Sequence, residues 1–370
     1  MRSESVTELL SQRIAAGDFP SAVYLVAEEG EIVLHEALGN AVVEPEVIAA
    51  APDTIYDMAS VTKVLVTGLL TAMLIETGEI SLDDRVADLV AEFDGDGKHQ
   101  VTVTELLTHT SRLPAWLPLY LSVDDPSDVI AAIGQTPLNA DQPAVTYSDL
   151  NFIVLGKIIE RLAGQALDAA AAMIFDSLGL KDTCFCPPVT LRPRIAASEH
   201  GNMFERETCR EQFPALYAAR PYEFRTETIW GEVHDGNAHF TEGVSGHAGL
   251  FSTAIEIFEI AKQFLPGTST FVSPELSKLF RTNFTKGKNE HRSLAFQLAS
   301  TLDSTASTAM SPSSFGHLGF TGTSLWIDPV RERIFVLLTN RTHHRTLPFE
   351  NINAVRRRFH ELAIAHLNAN

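Results

Sequence analysis

The sequence predicts an α+β fold: one antiparallel sheet built from both chain ends, flanked by helices, with a mostly helical lobe inserted between them. Strand-like runs cluster early, at 21–27 and 31–37, and return late, at 323–327 and 334–338. Between about Ile80 and Pro214 helical spacings, prolines and loops take their place. The repeated strand–helix–strand alternation of a parallel doubly wound sheet is absent. This order assigns 1–78 and 215–370 to one lobe and 79–214 to the other, with the active site in the cleft between them.

Each element has a local reason. Val6, Leu9, Leu10 and Ile14 recur at helical spacing and Gly17 stops the run. Glu29-Gly30 between two apolar runs signals a hairpin. A strong helix is expected from Val61 to Thr77, closed by Gly78. Leu150–Leu162 is the clearest helix of the middle region, followed by 254–264 and a terminal helix over 352–367. The stretch from Lys286 to Glu290 reads as a mobile surface loop.

Composition bounds the function classes. The chain has 370 residues, with 47 acidic against 28 basic and a formal net charge of −19. Such a surface repels nucleic acid and anionic lipid. Arg356-Arg357-Arg358, the one dense basic run, fits a solvated helix face. No run of about 18 apolar residues marks a membrane span, and the N-terminus lacks a secretion-type apolar stretch. The expectation is a cytoplasmic protein with no nucleic-acid or membrane partner, or a periplasmic one if a leader has been removed; its oligomeric state is unreadable. Cys184, Cys186 and Cys209 fit neither a disulfide framework nor a zinc site. His234, Asp235, His239 and His247 lack the spacing of a helical metal motif, so no metal or other cofactor is expected.

Three short motifs carry chemistry. In Ser60-Val61-Thr62-Lys63 the i, i+3 spacing places hydroxyl and ammonium on one helix face, near unpaired N–H groups that suit an oxyanion. Burial one turn deeper is expected to lower the Lys63 pKa towards proton transfer. In Tyr147-Ser148-Asp149 two readings stand: a phenol activated by a neighbouring ammonium, or a tyrosine beside an Asp149 helix cap. In His317-Leu318-Gly319, running into Phe320-Thr321-Gly322-Thr323, a histidine on an edge strand is followed by a glycine that lets substrate backbone approach.

In this order the motifs resemble those of the serine β-lactamase and penicillin-binding-protein superfamily, nearest its class C-like branch. The surrounding Asp57-Met58-Ala59, Leu106 to Ser111 and Gly246 to Thr253 agree. The resemblance implies that Ser60 forms an acyl-enzyme, and that Lys63 and Tyr147 share the acid and base work. It implies that His317 stands for the usual third-motif lysine, and that the N–H groups of Ser60 and Phe320 form the oxyanion hole beside Gly319. Asp149 and Thr321 would then meet the substrate. Asp149 departs from the family's asparagine, Leu318 from a threonine and Arg112 from a glycine, which weakens the case for β-lactam hydrolysis. Trp230 to Ala238, with Gly243 to Thr253, looks like a subgroup containing muramyl-peptide amidases. There His234-Asp235 either lines the substrate cleft or forms a buried turn.

The function implied is a serine hydrolase acting on an amide or ester: a muramyl or D-amino peptide, a small ester, or weakly a β-lactam. The alternative is a binding or regulatory protein that kept the fold and lost catalysis. An α/β-hydrolase is a poor fit, because Gly243-Val244-Ser245-Gly246-His247 ends in histidine where its elbow needs glycine.

Overall fold

The structure, a computed structural model, describes residues 4–95, 97–220 and 222–369. Its main sheet has seven antiparallel strands in the order β3-β2-β1-β10-β9-β8-β7. These are β1 Ser21–Glu28, β2 Glu31–Val42, β3 Ile48–Ala49, β7 Gln297–Leu298, β8 Phe315–Leu318, β9 Ser324–Asp328 and β10 Arg333–Thr339. The two chain ends meet at β1–β10, where Ala22 faces Thr339 and Glu28 faces Arg333. The hairpin turn has Glu29 at φ 51° and Gly30 at φ 82°, the left-handed pair whose twist suits two-residue hairpins.

Alternation along β1 explains why both sheet faces are covered. Val23, Leu25 and Ala27 join the core beneath the central helices, while Ala22, Tyr24 and Val26 face the terminal helices Val6–Ala16 and Asn353–Leu367. A smaller sheet joins β4 Tyr56–Asp57, β6 Leu250–Ser252 and β5 Cys184–Phe185 in the order β4-β6-β5. It brings the residues before Ser60 against the Gly246–Thr253 stretch.

The expected helix after Ser60 has a less regular start. It opens as a 3₁₀ turn, Ala59–Val61, widens to a π-helical Lys63–Gly68 and becomes α-helical at Leu69–Glu76. Together Ala59–Glu76 spans 18 residues with mean hydropathy 1.5, so one run does reach the length and apolarity of a membrane span. Fully 72% of it is buried inside the protein, so its apolarity serves the core. The later expectations hold within a few residues: Asp149–Ala163, Ala254–Ala261 continued by Lys262–Phe264, and Asn353–Leu367.

Three local expectations are corrected. Arg356 is buried, not solvated: its Nη2 donates to Gly319 O at 3.0 Å and Thr323 O at 2.9 Å, pinning the turn after β8. The 286–290 stretch is tied down, since the Asn289 amide makes two hydrogen bonds, each 2.9 Å, with the backbone of Val145. Ser148, not Asp149, holds the cap position of Asp149–Ala163, leaving the Asp149 carboxylate free for another partner.

Arg112 sits at φ 66°, a conformation glycine adopts freely and an L-residue adopts at a cost. Its side chain is exposed and makes no hydrogen bond or ion pair among the described residues. Arg112→Gly is expected to stabilise the fold by about 0.5–1 kcal/mol. A higher urea midpoint with an unchanged slope checks this; an unchanged or lower midpoint contradicts it.

Candidate active site

A cavity of about 600 Å³ opens between the Ser60 turn, the start of Asp149–Ala163 and the end of β8. Ser60, Tyr147 and Asp149 line it with His317, Leu318, Gly319 and Phe320, and with the adjacent pair His234 and Asp235. All three motifs therefore converge on one hollow. Thr321 does not join them. It is buried beneath the wall, donating from Oγ1 to Asp57 O at 2.8 Å, because the turn needs its hydroxyl to hold the Ser60 loop.

Ser60 is presented by a strained turn. Ala59 before it has φ 46°, a left-handed conformation that costs about 1–2 kcal/mol for a non-glycine residue. Asp57 over-determines it, accepting from Ala59 N and His234 N, each at 2.8 Å. Burial nonetheless pushes the Asp57 carboxyl above its ordinary range. Asp57 is a positioning group that the motifs alone did not single out, and a buried Asp three residues before the serine was the signal available.

Lys63 is completely buried and has three partners. Its Nζ lies 2.8 Å from Ser60 Oγ, 3.0 Å from His247 O and 2.7 Å from Asp149 Oδ1. The expected downward shift is overturned here. Burial does pull the pKa down, but the charge of Asp149 and the nearness of Tyr147 outweigh it, and the net shift is upward. The cause is the departure at 149: a carboxylate stands where an asparagine would leave the ammonium unpaired.

Tyr147 shares that environment. Burial raises its pKa most, the Lys63 charge opposes the rise and Asp149 reinforces it, leaving a net increase. Its hydroxyl makes no well-formed hydrogen bond among the described residues, although Lys63 and Ser60 lie near enough to stabilise the phenolate. The ring packs on His109, with centroids 4.6 Å apart. His109 Nδ1 in turn accepts from Ser148 N at 3.0 Å.

The third motif is neutral, as expected of histidine in place of lysine. Burial and the charges of Lys63 and Arg292 hold His317 well below the ordinary histidine pKa. Its Nδ1 faces Leu318 O at 2.9 Å, so its buried Nε2 is an acceptor without a partner. His317 and Leu318 stay open on their outer side because β7 pairs only with Phe315 and Gly316. Gly319 is required here: a Cβ would overlap Thr323 Oγ1 and the carbonyl of Met58. The Phe320 amide makes no hydrogen bond among the described residues, which leaves it available to an oxyanion.

Several wall residues lie outside the motifs. Arg292 is 5% exposed, with its guanidinium carbon 5.4 Å from the Tyr147 ring centroid. It pairs with Glu290 at 2.7 Å, and its Nε has no partner. The His234-Asp235 pair lines the cavity, and His234 is at the same time buried, with Nε2 2.8 Å from Glu199. Ligand atoms of Asp149, Asp235 and His247 lie within 4.8 Å of one another. Lys63 already supplies a cation to Asp149, so the group is an ion-pair network. The four residues weighed for a metal do not converge, since His234 faces Glu199 and His239 faces Glu232.

Glu205 on the same wall accepts from Gly236 N at 2.7 Å and Tyr120 OH at 2.8 Å. Burial first, and then the charge of Asp235, pushes its carboxyl up to about 7. The folded protein therefore holds this proton more tightly than the unfolded chain, and stability falls as pH rises from about 4.5 through 7. Glu205→Gln should raise Tm at pH 8 by about 2–4 °C and change it little at pH 4. Equal effects at both pH values contradict this.

Comparison with known proteins fits this geometry. The Beta-lactamase family profile matches residues 6–356. A provisionally named D-alanyl-D-alanine carboxypeptidase of Escherichia coli (strain K12) is 32% identical, the match covering 92% of this chain and 83% of that protein. A penicillin-binding protein homologue from Caulobacter crescentus superposes with a TM-score of 0.72 at 22% identity, covering 97% of this chain and 96% of that one. A class C β-lactamase from Rhodobacter sphaeroides gives 0.71 at 20%, covering 99% and 100%. EstCE1, a hydrolase with promiscuous acyltransferase activity, gives 0.73 at 19%, covering 96% and 97%. The chain belongs to the Beta-lactamase family, as a hydrolase of the β-lactamase and carboxypeptidase type.

Proposed function

We propose that the protein is a serine hydrolase that cleaves a peptide amide through an acyl-enzyme on Ser60, releasing a C-terminal residue that bears a free carboxylate. The observation that carries this is Ser60 Oγ on the cavity wall, 2.8 Å from the Lys63 ammonium, in a cavity that Phe320, with its unengaged amide, also lines. The lobes 1–78 with 215–370 and 79–214 would close on the substrate from either side. Lys63 orients the Ser60 hydroxyl and stabilises the phenolate of Tyr147, which takes the serine proton and returns it to the leaving nitrogen. The amides of Ser60 and Phe320 then hold the oxyanion.

The choice of a carboxylate-bearing leaving group rests on Arg292. His317 is neutral and gives no charge to an anionic substrate, whereas the Arg292 guanidinium stands beside it with a single ion pair. A peptide ending in D-Ala-D-Ala should therefore be cleaved in preference to its C-terminal amide. Arg292→Gln should raise KM about tenfold for the free acid and leave the amide unaffected. A panel adding muramyl dipeptide, p-nitrophenyl butyrate and nitrocefin separates the branches. Turnover of the ester alone overturns the peptidase reading, and release of the peptide from muramyl dipeptide moves it to an amidase.

One observation favours a second reading, a fold that binds without turnover: Asp149 holds Lys63 as an ammonium and Tyr147 as a phenol. A Ser60 adduct that never releases, with every substrate in the panel, would identify that state.

A further inference from the structure

Hydrolysis by way of an acyl-enzyme needs a group that activates water in the second half of the reaction, and few cavity-lining bases are free to do it. Lys63 is held protonated by Asp149, and the oxygen of Asp149 nearest it is committed at 2.7 Å. Both oxygens of Glu205 already accept hydrogen bonds, from Gly236 N and Tyr120 OH. His317 has a free Nε2, but a positive charge there would stand beside Lys63 and Arg292.

Like Asp149, Asp235 keeps one oxygen unengaged among the described residues, but its partner is a histidine ring rather than the Lys63 ammonium, and against the effect of burial the charge of His247 holds its carboxyl below the ordinary range. It lines the cavity, and only its Oδ1 is occupied, by Ala238 N at 2.8 Å and His247 Nε2 at 2.9 Å. Its Oδ2 makes no hydrogen bond among the described residues. The orientation is held from behind. His247 is 1% exposed, its Nδ1 faces Ser245 Oγ at 2.8 Å, and its backbone oxygen accepts from Lys63 at 3.0 Å. A carboxylate only accepts, so Nε2 of His247 carries the proton that points at Asp235. One histidine thus ties the Asp235 carboxylate to the ammonium that orients Ser60.

We propose that Asp235 is a further catalytic residue, binding the deacylating water through Oδ2, with His247 as its positioning residue; this rests on the acyl-enzyme reading above. The water oxygen bonds to the acyl carbon as its proton passes to Asp235. The carbon–Oγ bond then breaks, Ser60 Oγ takes a proton from Lys63, and the proton on Asp235 returns to Lys63 through solvent in the open cavity. The carboxylic acid product departs with the oxygen of the water.

The test is the release rate of a preformed acyl adduct, followed by intact mass after a p-nitrophenyl ester or peptide pulse. Asp235→Asn keeps a side chain that caps the 236–240 turn as well as Asp does. It should slow release about 10²–10⁴-fold while fluorophosphonate labelling of Ser60 stays within a fewfold of wild type. His247→Gln should slow the same step by a smaller factor, with KM unchanged, and the double variant should be no slower than Asp235→Asn alone. Release at the wild-type rate in Asp235→Asn overturns the proposal while leaving Ser60 as nucleophile. Equal losses in labelling and release also overturn it, as does additivity of the two variants. If neither wild type nor variant forms a Ser60 adduct, the acyl-enzyme reading itself fails.

Discussion

Ser60→Ala is expected to lower kcat/KM about 10⁴–10⁶-fold on every amide or ester the protein hydrolyses, with Tm almost unchanged. The loss is large because the covalent step has no substitute: among the described residues, Ser60 is the cavity-wall residue whose hydroxyl accepts a hydrogen bond from Lys63, at 2.8 Å. The fold should be indifferent, since Lys63 keeps Asp149 at 2.7 Å and His247 O at 3.0 Å when Oγ is removed. The buried ammonium is therefore never left unpaired, which is the usual reason such a truncation unfolds a protein. Steady-state rates, Ser60 labelling by a fluorophosphonate and a thermal melt check the three parts separately. Equal labelling of the variant would remove Ser60 from the mechanism, and a collapsed melt would make its activity loss uninformative.

Asp149→Asn is expected to move the ascending limb of kcat/KM to lower pH by about 1–3 units. In the wild type the Asp149 charge opposes loss of a proton from Lys63, which it contacts, and also from Tyr147. Both groups thus have raised pKa values and reach their basic forms only at higher pH. Asparagine removes the negative charge and supplies an amide donor. Burial then acts on Lys63 with less opposition and lowers its pKa, while the phenol of Tyr147 also loses its proton more easily. Where that limb governs the rate, activity at pH 7 rises about tenfold or more. The same change restores the residue the family's pattern expects, so acylation by nitrocefin should rise with it. A pH profile that stays in place, or moves to higher pH, rules out Asp149 as the cause of the shift.

The ends of the fold were legible because their causes are local. The strand-like apolar runs of β1 and β10, the Glu29-Gly30 turn and the helical spacing after Asp149 need no distant partner to be read. The strained Ala59 and the π-helical Lys63–Gly68 were not legible, since each is imposed by what it packs against. Asp57 locks Ala59, and Thr67 Oγ1 donates to Gly246 O at 2.6 Å, a contact between remote parts of the chain. Arg356 misled for the same reason. A basic run on an amphipathic helix looks solvated until the turn of Gly319 and Thr323 is found on top of it.

By itself the sequence determined which groups are available: Ser60 and Lys63 one turn apart, a phenol before a helix, and a glycine two residues after His317. Those relations are set by spacing along one element, and spacing survives in any fold that forms the element. Tertiary structure alone decided what state the groups are in. The charge on Lys63 is fixed by Asp149, the neutrality of His317 by burial beside Lys63 and Arg292, and the aim of Asp235 by His247. Protonation depends on charges within a few ångströms and on exclusion of water, and neither is encoded in the order of residues along the chain.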